Sequence, residues 1–110
     1  MSEALPFQID VDELAALRRG AAEHRILDVR EPWEVELCAL PESLHIPMGL
    51  LPGRLAELPR DALIVVLCHH GVRSAQATQW LRAQGFERTV NLAGGIDAWA
   101  RVIDRSMDVY

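Results

Sequence analysis

A chain of 110 residues, half of them hydrophobic and a quarter charged, fits one small globular domain spanning 1–110; a disordered chain would carry fewer apolar residues. Its formal charge of −5, with no lysine and no basic run, argues against nucleic acid as a partner, because phosphate contacts need clustered cations. The longest apolar run, Ala62 to Cys68, is too short to span a bilayer, and no basic stretch followed by an apolar core marks a signal peptide, so a cytoplasmic protein with no membrane partner is expected.

Apolar runs alternate with amphipathic stretches, which is the pattern of an α/β fold. Asp10 is a good N-cap, and Glu13 completes a capping-box spacing, so a helix is expected from Val11. Val11, Leu14 and Leu17 share its apolar face. Arg18 and Arg19 suit the negative end of its dipole, and Gly20 is expected to close it in the left-handed conformation. Arg25 to Arg30 reads as a short buried strand. Pro32 opens a helical turn through about Glu36, where its missing N–H is harmless. Ser43 to Ile46 reads as a second short strand, stopped by Pro47. Leu50 to Leu58 reads as a helix weakened by Pro52 and Gly53. Ala62 to Cys68 is the clearest strand, and its unbroken apolar character fits a central parallel strand covered on both faces. A helix from about Ser74 to Gln84 follows, with Ala77, Trp80 and Leu81 inward and Gly85 as its stop. Thr89 to Leu92 is another strand, Gly94-Gly95 a tight turn, and Ile96 to about Ile103 a last helix. Asp104 to Tyr110 reads as a surface tail.

The segment carrying chemistry is Cys68-His-His-Gly-Val-Arg-Ser74. Cys68 sits where a buried central strand leaves the sheet, and open parallel sheets bind ligands outside the carboxyl ends of their strands. A short loop with Gly71 can turn backbone N–H groups inward to hold an anion. The start of the following helix adds partial positive charge, and Arg73 adds a full one. All three favour the charged form of the thiol, and the thiolate is the reactive nucleophile. Free cysteine is also a common buried small hydrophobe; the loop after it is what distinguishes Cys68.

Other residues admit plainer roles. A thiolate already formed needs no base, so His69 and His70 are read as loop positions whose backbone matters more than their rings. Adjacent residues Cys68, His69 and His70 rarely converge on one ion, and no partner pair with metal-ligand spacing is visible, so no metal and no cofactor are expected. Two cysteines make no disulfide framework, and a reducing cytosol keeps them as thiols. Cys38 is either a resolving thiol for Cys68 or a packed side chain near a helix end, and packing is the simpler reading. Asp28 and Arg30, at the end of a neighbouring strand, either support the loop or form solvated pairs with Glu31 or Glu34. Trp33, Trp80 and Trp99 read as core or rim packing, and His24 and His45 as structural.

The Cys68-x4-Arg73-Ser74 loop after a strand resembles the active-site loop of the rhodanese (thiosulfate sulfurtransferase) family. Asp28-Val-Arg-Glu31, His45-Ile-Pro47 and Asn91-Leu-Ala-Gly-Gly-Ile-Asp-Ala-Trp99 resemble its other segments, in the family's order. Leu37-Cys-Ala-Leu-Pro-Glu42 departs from the Gly-His-Ile pattern usual there. The resemblance implies a small, open, mainly parallel sheet flanked by helices on both faces. It also implies sulfur transfer through a persulfide on Cys68, from a donor such as thiosulfate to cyanide or a thiol, with a sulfur-relay protein as a further partner. In that chemistry Arg73 shapes the loop and adds positive potential. His69, His70, Gly71, Val72 and Ser74 line the sulfur with their N–H groups, and the Ser74 hydroxyl donates to sulfur while capping the helix. Related cysteine phosphatases and arsenate reductases use Cys-x5-Arg, a larger ring suited to a tetrahedral oxyanion, whereas this loop is one residue shorter. A non-catalytic rhodanese-like module that binds a partner or senses redox state is the rival reading, against which the intact loop argues.

Overall fold

Capping chemistry starts the first helix where the sequence predicts it. Helix α1 covers Val11–Arg19, with the Asp10 side chain accepting from the Glu13 N–H at 2.8 Å and the Glu13 carboxylate accepting from the Asp10 N–H at 3.2 Å. The computed structural model describes residues 5–20 and 22–110. Gly20 closes α1 with φ −90° and ψ −179°, an extended and not a left-handed conformation, so its expected role is corrected. Strand β1, Gln8–Ile9, precedes α1. Two residues beside Pro6 carry no period that sequence reasoning could detect.

Strand β2 spans His24–Asp28, α2 Pro32–Leu37 and β3 Leu44–His45. The segment expected to be a weakened α-helix is a 3₁₀ helix, Met48–Glu57, kinked at Arg54. Pro52 within it has no N–H to give to an α-helical ladder. Strand β4 is Leu63–Leu67, α3 Val72–Ala83 and β5 Thr89–Leu92. Helix α3 begins two residues before the expected Ser74, with left-handed Gly71 as its N-cap. Ser74 therefore lies inside the first turn and is not the cap. Helix α4, Gly95–Ala98, runs on as a π-helical turn, Trp99–Ile103, which the Asp104 N–H closes onto the Trp99 carbonyl at 2.9 Å.

The five strands form one parallel sheet in the order β1-β5-β4-β2-β3. Strand β4 is central, and its side chains alternate between two cores. Val65 and Leu67 join Leu14, Ile96 and Trp99 on the face covered by α1 and α4. Ile64 and Val66 join Leu51, Ala77 and Leu81 on the face covered by the 3₁₀ helix and α3. Both faces of β4 are dry, which is why the strand is apolar without alternation. Each such fully buried aliphatic side chain contributes about 1.5–3 kcal/mol. Cys68 belongs to the second cluster and directly follows the strand at the carboxyl edge of the sheet. Among the described residues, no helix is long and apolar enough to cross a membrane.

Candidate active site

The loop from Cys68 to Ser74 leaves β4 and enters α3, with its N–H groups directed at sulfur. Sγ of Cys68 accepts from the Gly71 N–H at 3.1 Å, the Ser74 N–H at 3.4 Å and the Ser74 hydroxyl at 3.3 Å. Both Cys68 and Ser74 are fully buried. Burial pushes the thiol up, but the Ser74 hydroxyl and the N–H groups of Ser74, Gly71 and His70 outweigh it and hold Cys68 below the ordinary thiol range.

The inward N–H groups require outward carbonyls, and α4 receives them. The Ile96 N–H donates to the Cys68 carbonyl at 2.9 Å and the Asp97 N–H to the His69 carbonyl at 3.1 Å. Asn91 Nδ2 donates to the Gly71 carbonyl at 3.2 Å. Two glycines make this possible. Gly71 has φ +104°, the left-handed turn that reverses the loop. Gly95 has φ +60°, and a Cβ there would collide with the carbonyl oxygens of Cys68 and His69. The Gly94-Gly95 pair is thus the seat of the loop as well as a tight turn.

Arg73 does not stand as a free cation beside the thiol. Its Nη1 and Nη2 each donate to Glu34 at 2.7 Å. That pair holds the Glu34 carboxyl well below its usual range, at about 2, against the opposing effect of burial. The expected positive potential of Arg73 is therefore largely offset by a carboxylate. A negative charge placed on sulfur is stabilised chiefly by N–H and O–H dipoles.

Asp28 and Arg30 form a buried pair, not a solvated one. Arg30 is completely buried, and its Nη2 lies 2.7 Å from Asp28 Oδ2. The same guanidinium donates to the carbonyls of Glu34 at 3.3 Å and Cys38 at 2.8 Å, tying α2 and the residue after it to the end of β2. Its ion pair is with Asp28, so neither Glu31 nor the Glu34 carboxylate is its charged partner. Cys38 is half-buried against the α1-side core, with Sγ 4.0 Å from Arg30 Nη1. His45 Nε2 lies 2.7 Å from the Arg30 carbonyl and His24 Nδ1 3.1 Å from the Ala22 carbonyl. Trp99 is buried in the core under α1 and α4, Trp80 packs at the edge of the core under α3, and Trp33 is 59 % exposed.

Tyr110 overturns the reading of the last residues as a plain surface tail. Its ring stacks on His69, with centroids 3.8 Å apart and planes 5° from parallel. Its hydroxyl accepts from Arg30 Nη1 at 3.0 Å and donates to Glu34 Oε1 at 2.8 Å. Burial pushes its own ionisation up to about 12, so the hydroxyl keeps the proton it donates. His70 stacks on His69 and lies 3.9 Å from Asp97, which brings a third group of metal-ligating type beside the two histidines. The Asp97 carboxylate is held by Arg101 Nε at 3.0 Å.

The family model of the Rhodanese-like domain matches residues 10–102. The chain belongs to the rhodanese-like domain family. It is 39 % identical over 94 residues to a sulfurtransferase of Allochromatium vinosum, covering 86 % of this chain and 88 % of that one. The crystal structure of a rhodanese-like domain protein from Staphylococcus aureus superposes with a TM-score of 0.81 at 30 % identity, covering 94 % of this chain and 97 % of that one. Longer proteins share the unit as well. The chain is 30 % identical over 104 residues to an adenylyltransferase and sulfurtransferase (uba4) of Ogataea parapolymorpha, covering 94 % of this chain but 26 % of that protein.

Within this rhodanese-like frame, sequence reasoning missed Glu34, Asn91, Gly95 and Tyr110 as neighbours of the thiol loop. For Glu34 a signal existed: it follows Glu31 at capping-box spacing, and its carboxylate accepts from the Glu31 N–H at 2.9 Å. For Gly95, the doubled glycine indicated a turn but not what it touches. For Tyr110, 36 residues beyond the loop, no local pattern exists.

Proposed function

We propose that the protein is a sulfurtransferase of the rhodanese kind that carries sulfane sulfur as a persulfide on Cys68. The observation behind this is the ring of donors on Sγ: the Gly71 and Ser74 N–H groups and the Ser74 hydroxyl, all within 3.4 Å. Such a cradle stabilises an anionic sulfur, which is both the attacking species and the product of the first half-reaction. Similarity to proteins named sulfurtransferase supports the same role.

The reaction divides into two displacements. The Cys68 thiolate attacks the outer sulfur of thiosulfate. A new S–S bond forms, the S–S bond of the donor breaks, and its electron pair leaves with sulfite. Cys68 now carries a terminal sulfur, which the cradle holds as an anion. Cyanide, or the thiolate of a small molecule or sulfur-relay protein, then attacks that terminal sulfur. The Cys68 thiolate departs with the electron pair, and thiocyanate or a new persulfide is released. No step requires an external oxidant, and a reducing cytoplasm would keep both cysteines in the thiol form.

Intact mass after incubation with thiosulfate, beside a Cys68→Ser control, tests this reading. A gain of one sulfur atom, absent from the control and removed by cyanide with formation of thiocyanate, is the expected result. No gain from thiosulfate or from any small-molecule persulfide would refute the transferase reading and leave a binding or redox-sensing module. Turnover of a phosphate ester with none of thiosulfate would instead support phosphatase chemistry.

A further inference from the structure

Four contacts converge on Tyr110 that neither the loop motif nor the family resemblance calls for. The ring lies parallel to His69 at 3.8 Å and meets the Trp33 ring edge-on at 5.8 Å and 74°. The hydroxyl bridges Arg30 and Glu34. Glu34 in turn holds Arg73 by two bonds of 2.7 Å. Tyr110 thus touches the thiol loop near both ends: directly at His69, the residue after the nucleophile, and through one carboxylate at Arg73, the residue before Ser74. These ends carry the groups that surround sulfur apart from the Gly71 N–H, which lies between them. His69 precedes the His70 N–H, and Arg73 precedes the Ser74 N–H and hydroxyl.

We propose that Tyr110 is a positioning residue that clamps the two ends of the Cys68 loop and so keeps its N–H groups directed at sulfur. The ring holds His69, whose carbonyl is bonded to the Asp97 N–H. The hydroxyl anchors the ring to Arg30, a side chain with no solvent exposure and hence little freedom to move. Tyr110 reaches these groups from 36 residues beyond Ser74. Its role concerns the thiolate itself, and it rests on the sulfurtransferase reading only for its consequence in turnover.

The sign of its effect is opposite to that of a simple cover. Freed of the clamp, the loop lets donors drift from sulfur, so the thiolate loses stabilisation and the thiol titrates at higher pH. Removing a mere cover would hydrate the thiolate and move the titration the other way. Among the described residues, the titratable groups in contact with the loop besides Tyr110 are His69 and His70 within it, Glu34 from α2 and Asp97 from α4. Arg30 and Arg73 are the fixed cations.

The rate of Cys68 alkylation by iodoacetamide against pH, followed at that peptide by mass, reads the thiolate directly. For Tyr110→Ala the midpoint is expected to rise, with alkylation at least about threefold slower below it, and Tyr110→Phe, which keeps the stack but loses the hydroxyl link through Glu34 to Arg73, is expected to lie between that variant and the wild type. Tyr110→Leu fills space beside Trp33 without an aromatic face; it is expected to follow the alanine variant and decides the matter if that variant fails to fold. An unchanged midpoint in a folded variant lacking the ring would overturn the proposal. So would a lowered midpoint, or faster alkylation at every pH, either of which marks Tyr110 as a cover. A protein that accepts no sulfur from any donor would refute the transferase reading while leaving this profile legible.

Discussion

Glu34 offers the sharpest test of how the site is held together. In Glu34→Gln, one Arg73 nitrogen keeps an acceptor and the other faces an amide donor, so one of two 2.7 Å bonds is lost with the charge. The drop of the Glu34 carboxyl from 4.5 to about 2 corresponds to about 3 kcal/mol at neutral pH. Arg73 is 36 % exposed, and solvent screening of that end reduces the figure to about 2 kcal/mol. For a domain of this size that is a fall in Tm of roughly 10 °C. The folded-state value lies below the unfolded one, so the stabilisation is complete above about pH 4.5 and is lost as pH falls through about 2. Urea denaturation of wild type and variant at neutral pH and at about pH 3 checks both claims. The gap should be near 2 kcal/mol at neutral pH and under about half of that at the lower pH. A gap that stays constant across this range, or one below about 0.5 kcal/mol throughout, would refute the assignment of Glu34 as the charged partner of Arg73.

The remaining expectations concern the loop. Ser74→Ala removes the hydroxyl 3.3 Å from Cys68 Sγ, and a hydrogen bond to a charged group is worth about 1.5–3 kcal/mol, so the midpoint of Cys68 alkylation against pH should rise by about one unit. An unshifted midpoint would mean that the N–H groups suffice. Gly95→Ala places a Cβ against two loop carbonyls at positive φ and should cost at least about 2 kcal/mol in urea denaturation, because backbone and not a flexible side chain must give way. Wild-type stability in that variant would show that the seat beneath the loop is softer than its contacts imply.

How much was legible depended on the range of the interaction. The Asp10 to Glu13 capping box and the β5 boundaries are local, and the structure has them where the sequence predicts them. The unbroken apolar run of β4 announced a strand covered on both faces, because a central parallel strand has no wet side. The loop motif was legible for a related reason: in Cys68 to Ser74, the cysteine, the turn glycine and the helix start are neighbours in the chain, so their spacing is a local pattern. Gly20 and Ser74 show the limit of that approach. Either residue type suits several backbone positions near a helix end, and packing selects one.

Taken alone, the sequence determined the α/β class, the central strand, the loop with its cysteine and the family resemblance, since periodicity and spacing encode each of these over a few residues. The tertiary structure alone decided which charges meet. Arg73 binds Glu34 from 39 residues away, Arg30 is buried with Asp28, and Tyr110 reaches His69 and Glu34 from the other end of the chain. Parallel strands joined by crossovers bring such residues to the same edge of the sheet. Their pairing is set by distances in space, which no pattern of neighbouring residues records.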